Sequence, residues 1–438
     1  MSSRVLRNLR RALSYKQHGE LREKHLFPCM TAHFTEPVMI ERGEMQYLYD
    51  HTGKKYLDLF AGIVTVSVGH CHPRVNKVLK EQIDQLWHTT QIYWYPQIHE
   101  YAKKLADKFP DGLDQVYFVN SGSEANDLAM MLARLHTGKF NIVALQNAYH
   151  GASPYARQLT SHGSWKYNLH GIGGVHHVPH PCTYAGDHGD NCDAYLKNFN
   201  DVIDLNIGDN LAGFWAEPIQ GVGGSNMYPK GYLKGVYEKV RSLGGVCVAD
   251  EVQTGFGRCG THYWGYETHD VVPDMVVMAK GIGNGFPMAA VVTTKEIASH
   301  MSKALHFNTF GGNPMACRVG MEVLDVIDDE KLQENSHIVG TYFLEKMHKL
   351  MDKYDFIGDV RGMGLMLGFE MSENRDPTRP LAAAQVNKIW NECKDEGVLF
   401  GKGGAYGQTF RVKPPMCVNK EDIDFAVDVF DHACSKIE

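Results

Sequence analysis

The chain of 438 residues lacks any run of 18 predominantly apolar residues, so no segment is suited to crossing a bilayer as a helix. It also lacks a basic surplus. Its 44 Lys and Arg stand against 51 Asp and Glu, a formal charge of −7, which leaves no footprint for a nucleic-acid backbone. Cysteine is sparse, with 10 residues and no Cys-x-x-Cys pair, which excludes a disulfide scaffold. Cys71, Cys247 and Cys317 sit among apolar or small neighbours and read as reduced core cysteines. The ordinary balance of 43% apolar and 22% charged residues excludes disorder, collagen and coiled coil. Glycine is in excess, 44 residues, which points to many tight turns and close backbone approaches.

The first nineteen residues lack acids altogether. Arg4, Arg7, Arg10, Arg11 and Lys16 are interleaved with Ser2, Ser3 and Ser14. On a helix Leu6, Leu9 and Leu13 share a side opposite Arg4, Arg7 and Arg11. This pattern predicts a mitochondrial transit peptide over residues 1–20 and a place in the matrix. The alternative is a frayed basic helix on a cytosolic protein. His176, His177, His180, Cys182, His188 and Cys192 are metal-ligand types at spacings that match no zinc pattern, so a polar histidine-rich loop is the expectation there. No metal site is assigned.

Along the chain, "MQYLYDHTGKKYLD" (Met45–Asp58) alternates around a turn and reads as a β-hairpin. A helix is expected over Val75–Trp87. "QVYFVN" (Gln115–Asn120), "NIVAL" (Asn141–Leu145), "LAGFWAEP" (Leu211–Pro218), "GGVCVADE" (Gly244–Glu251) and "DMVVMAKG" (Asp274–Gly281) are near-continuous apolar runs. They alternate with helical patterns, and runs of this kind fit strands buried on both faces of a mostly parallel sheet. The expected fold is α/β: residues 76–320 form a large domain around that sheet and residues 321–438 a smaller α/β domain. The N-terminal segment 21–75 is expected to pack with the small domain.

Ligands in such sheets bind at the carboxyl ends of the strands, where these runs close on polar residues. "NSGS" (Asn120–Ser123) joins a strand to a helix start, where glycine and free N–H groups suit a phosphate. Asp250 closes "VCVAD"; a carboxylate there needs a cation or strong donors. Lys280 closes "MVVMAK"; desolvation of such a lysine lowers its pKa and frees a neutral amine for Schiff-base chemistry. An anion cup, a buried acid and a buried lysine together describe the needs of pyridoxal 5'-phosphate: N–H donors for its phosphate, an acid for its ring nitrogen and an amine for its aldehyde.

The motifs "NSGSEAN" (Asn120–Asn126), "YHG" (Tyr149–Gly151), "EPIQG" (Glu217–Gly221), "ADEVQTGFGR" (Ala249–Arg258), "AKGIGNGFP" (Ala279–Pro287) and "NTFGGNP" (Asn308–Pro314) carry a family resemblance. From about Tyr47 to about Val418 the chain resembles the class-III pyridoxal-phosphate aminotransferases, and within them the mitochondrial alanine–glyoxylate type. The resemblance implies the fold-type I transferase architecture. It implies that Lys280 holds the cofactor as an internal aldimine and then carries the substrate proton. Asp250 would pair with the pyridinium, Val252 would pack behind the ring, Tyr149 would stack in front, and His150 would lie close by. Gln253 would bond near the phenolic oxygen, Gly122 and Ser123 would bind phosphate, and Glu217 would support the site from behind. Thr309 would reach the phosphate of the other subunit's cofactor, which implies a homodimer; a tetramer remains open. Arg411, in "FRVKPP", matches the arginine that binds the substrate α-carboxylate, for which a planar fork is suited.

Two departures bear on substrate. Many ornithine- and γ-aminobutyrate-type relatives carry a glutamate where this chain has Val222, and the γ-aminobutyrate type carries an arginine where it has Ala152. Both changes favour small amino and oxo acids. The expected reaction is a ping-pong transfer from L-alanine, or 3-aminoisobutyrate, to glyoxylate or pyruvate. The alternative is a class-III phospho-lyase acting on a phosphorylated amino alcohol, which would want cationic phosphate partners in place of a carboxylate-binding arginine.

Overall fold

The apolar runs become the strands of a seven-stranded sheet. Its spatial order is Gln115–Val119, Ala289–Thr293, Met275–Met278, Val246–Asp250, Leu211–Ala216, Asn141–Leu145 and Val175–Val178. The structure is a computed structural model that describes residues 14–437 apart from 168, 170 and 172. The five strands from Met275–Met278 to Val175–Val178 pair in parallel. Ala289–Thr293 runs antiparallel to both of its neighbours. No strand is expected there from sequence, because a five-residue apolar run behind a proline carries no orientation signal of its own.

The central strands are buried at every position because each face packs a separate core. Phe214, Cys247 and Val276 enter one cluster, while Trp215, Val248 and Val277 enter the other, as the two-residue period of a strand requires. The helix Gly122–Thr137 covers the second face with Ala125, Leu128, Ala129 and Leu132. Ser121 Oγ accepts from Glu124 N at 3.2 Å to start that helix, and Gly138, at φ 68°, ends it in the left-handed conformation.

Ile40–Glu44, Tyr47–Asp50 and Lys55–Asp58 form an antiparallel meander, and Val398–Leu399 joins Lys55–Asp58 in parallel. The hairpin turn is fixed by Asp50 Oδ1, which accepts from Thr52 N at 2.8 Å and Lys54 N at 3.0 Å. A third sheet, in the order Ile357–Met363, Met366–Met371, Thr409–Val412 and Gly401–Gly403, is antiparallel throughout. The helix Pro314–Asp329 packs on Pro73–Ile83 and Pro96–Ala106. The positions 75–76 and 320–321 both fall inside these helices.

Some local expectations change. The helix expected over Val75–Trp87 runs over Pro73–Ile83, and Trp87 lies beyond it, exposed. Cys247 and Cys317 are buried, but Cys71 is exposed in a left-handed turn at φ 52°. His176 and His177 lie on the strand Val175–Val178 and not in a loop. Their rings bond separately, His176 to Asn141 Oδ1 at 3.2 Å and His177 to the Leu159 carbonyl at 3.1 Å. Of the segment 1–20, residues 1–13 lie outside the described residues. The rest begins an exposed helix, Tyr15–His25, capped by Ser14. Among the described residues no helix is long and apolar enough to cross a membrane.

Candidate active site

The carboxyl ends of the central strands open on one cavity of about 650 Å³. Asp250 is the last residue of its strand and is almost wholly buried. Its Oδ2 accepts from Asn126 Nδ2 at 2.9 Å and from His150 Nδ1 at 2.7 Å, and its Oδ1 accepts from Val252 N at 3.1 Å. A carboxylate can only accept, so His150 carries its proton on Nδ1, which leaves Nε2 buried without a partner. Trp215 Nε1 donates to Asn126 Oδ1 at 3.0 Å and so aims the Asn126 amide at Asp250. Three donors fix this acid in direction.

Lys280 follows the strand Met275–Met278 by two residues and sits at φ 49°, in the left-handed region that a lysine seldom occupies. The strand therefore stops short of it, and the turn Lys280–Gly283 swings the side chain into the cavity. Burial lowers its amine from 10.5 to about 8, with Asp250 and Glu217 acting against that shift and Arg411 adding to it. Glu217 accepts from Tyr149 N at 3.1 Å and Gly221 N at 2.8 Å, and burial raises its carboxyl above the usual range.

Arg411 is 3% exposed, and burial pulls its guanidinium down to about 10. Its Nη2 donates to Gln253 Oε1 at 3.0 Å, and its Nε has no partner. The guanidinium carbon lies 5.4 Å from the centre of the Phe60 ring. Val222 adds an apolar patch to the cavity wall.

One cavity thus gathers Gly122, Ser123, Tyr149, His150, Glu217, Asp250, Val252, Gln253, Lys280 and Arg411. Thr309 is not among its lining residues; it is exposed on the surface. The backbone amides of Gly122 and Ser123 are the first of their helix and have no intrahelical acceptor. A Cβ on Gly122 would meet Val252 at 3.1 Å, so glycine keeps this rim open. Sequence reasoning does not single out Asn126, Trp215, Lys402, Trp390 or Lys413. Asn126 stands at the end of the "NSGSEAN" motif, at helical spacing from Gly122. Lys413 stands two residues after Arg411, on the same face of extended chain. Lys402 and Trp390, which stack with 4.4 Å from Nζ to the ring centre, line the outer cavity and carry no local signal.

An amine, an acid and an arginine on one buried cavity are the parts needed to move an amino group between carboxylate-bearing molecules. Residues 30–434 match the family Aminotransferase class-III, and the chain belongs to that family and is an enzyme of that class. It is 50% identical to human "Alanine--glyoxylate aminotransferase 2, mitochondrial", over 97% of this chain and 87% of the relative. Among solved structures it superposes with a TM-score of 0.90 on a thermostable (S)-enantioselective omega-transaminase from Thermomicrobium roseum, at 28% identity over 97% of this chain and 99% of that one. It also superposes on a phospholyase from Arthrobacter in complex with phosphoethanolamine, with a TM-score of 0.86 and 29% identity over 95% of this chain and 99% of that one.

Proposed function

We propose that this enzyme transfers the amino group of L-alanine, or 3-aminoisobutyrate, to glyoxylate or pyruvate in the mitochondrial matrix, with pyridoxal 5'-phosphate as cofactor. The observation that carries the reading is Arg411: a buried guanidinium with unpartnered donors on the same cavity as Lys280 and Asp250. A carboxylate answers it bidentately. The 50% identity to a mitochondrial alanine–glyoxylate aminotransferase supports the substrates and the compartment.

The residues present fit the cofactor. The free amides of Gly122 and Ser123 would hold its phosphate. Asp250 would face its ring nitrogen, between Val252 and Tyr149, and the unpartnered Nε2 of His150 awaits a polar neighbour. Gln253 would lie near its phenolic oxygen, supported by Glu217. When bound, the group supplies an aldehyde carbon for amines and a ring that accepts electrons.

Lys280 then acts as the proton carrier: its amine, depressed to about 8, takes a proton from the substrate α-carbon and returns one at the end of the transfer. Arg411 holds the carboxylate and thereby fixes which bond of the α-carbon faces Lys280. Val222 makes its part of the wall apolar in place of an acid that would pair with Arg411, so small amino and oxo acids enter with their carboxylate matched. The two half-reactions use the same site in alternation, alanine leaving as pyruvate before glyoxylate leaves as glycine.

Thr309, exposed and away from this chain's own cavity, would serve the cofactor of a second copy in a homodimer. The test is to supply the cofactor-loaded enzyme with L-alanine and glyoxylate and to measure pyruvate and glycine. Their absence, with phosphate released from phosphoethanolamine, would replace this reading with the phospho-lyase one.

A further inference from the structure

Lys413 is a buried amine that the reaction above does not use. It is fully buried and is not part of the cavity lining, whereas Gln253 and Arg411 both are. Its Nζ donates to Gln253 Oε1 at 3.2 Å and to the Gly221 carbonyl at 3.2 Å. Arg411 Nη2 donates to the same Gln253 oxygen at 3.0 Å. One amide oxygen is thus shared by two basic side chains, one at the cavity wall and one behind it.

The other end of that amide is also placed, since Gln253 Nε2 faces Glu217 Oε2 at 3.5 Å. Gly221 is crowded against it, for a Cβ there would come within 2.3 Å of Gln253 Oε1. The amide is therefore fixed at both ends and from below. For Arg411 the shared oxygen is its one hydrogen-bond acceptor among the described residues. A guanidinium has five donors, and anchoring one edge leaves the rest free for a carboxylate. Burial, then Arg411, push the Lys413 amine well below 10.5. With or without its charge the amine has at least two hydrogens to donate, enough for the two acceptors it meets.

We propose that Lys413 is a positioning residue for carboxylate recognition: it pins Gln253 Oε1, and that oxygen in turn holds the Arg411 fork with its free donors turned into the cavity. Without this anchor the amide oxygen follows Arg411 alone, the fork loses its fixed direction, and carboxylate binding must order both side chains. The inference rests on Arg411 being the carboxylate site.

The test uses the cofactor-loaded enzyme and propionate, a carboxylate with no amine to transfer, as a competitive inhibitor. Lys413→Met keeps the stem and removes the donors. The Ki for propionate and the KM for L-alanine are expected to rise together about tenfold, with kcat within about twofold, as loss of one orienting hydrogen bond predicts. Lys413→Gln, which retains a donor, is expected to fall between, and it decides the matter if the methionine variant does not fold. Arg411→Gln is measured alongside. The proposal is overturned if Arg411→Gln weakens propionate while both Lys413 variants keep its Ki within about twofold, or if they lower kcat with Ki unchanged. If Arg411→Gln itself leaves Ki unchanged, the carboxylate reading of Arg411 has failed, and this inference falls with it.

Discussion

Lys280 offers the sharpest single test of the site. Its amine is lowered to about 8 by burial, against an ordinary value of 10.5. At pH 7 that leaves about one amine in ten neutral, compared with about one in three thousand for an ordinary lysine, a gain of about 300-fold in the form that attacks an aldehyde. The measurement is made on protein stripped of small molecules. It is pulsed with formaldehyde and a hydride donor from pH 6 to 11, and the methylation of Lys280 is followed by peptide mass spectrometry beside that of exposed lysines. Lys280 should label with a midpoint near pH 8. Asp250→Asn should move that midpoint lower, because the carboxylate favours the charged amine. The sign for stability follows from the same shift. Between about pH 8 and 10.5 the unfolded chain holds the proton that the folded one has lost, so stability rises with pH across that window. Below it the full cost, about 3 kcal/mol, is present. A midpoint for Lys280 indistinguishable from that of the surface lysines would refute the desolvated amine on which the mechanism stands.

Arg411→Gln removes the fork and should raise the KM for L-alanine about a hundredfold, a loss of about 3 kcal/mol in charge-assisted bonding; steady-state kinetics read it, and an unchanged KM refutes the assignment. Trp215→Phe leaves Asn126 Oδ1 buried and unpaired, so urea unfolding should show a loss of about 1–2 kcal/mol. Gly221→Ala drives a Cβ into Gln253 Oε1 and should raise KM more than it lowers thermal stability, which a melt compared with kinetics would show. Thr309→Ala should leave the folded chain's stability within about 0.5 kcal/mol yet weaken retention of pyridoxal phosphate on dialysis; equal retention refutes its service to a partner's site.

Much of the site is legible in the sequence because strand ends announce themselves. An apolar run buried on both faces has no tolerance for a charge, so the Asp or Lys that closes it must have a partner or a task. Asp250 and Lys280 stand out on that ground alone. The strand Ala289–Thr293 is not legible, since its place second from the edge is set by insertion between the preceding strand Met275–Met278 and the distant Gln115–Val119. His176 and His177 read as loop for a similar reason: a short edge strand shows no period of its own, and parallel pairing with Asn141–Leu145 creates it. Cys71 looks like core from its neighbours in sequence, but a left-handed turn faces it outward.

The residues that act through other residues are hidden in a different way. Gln253, Lys413 and Gly221 are far apart along the chain and meet only because the strand Thr409–Val412 is laid against the loop after Asp250. Likewise Asn126 reaches Asp250 from a helix and is itself held by Trp215 from a neighbouring strand. Local composition and period determined which segments form strands and helices, and which of their ends carry an amine or an acid, because burial in a strand is a property of consecutive residues. Which side chains share one oxygen, which donors are left free, and how far an amine is stripped of its proton were decided by tertiary packing, because hydrogen bonds and desolvation depend on distances in space that no spacing along the chain encodes.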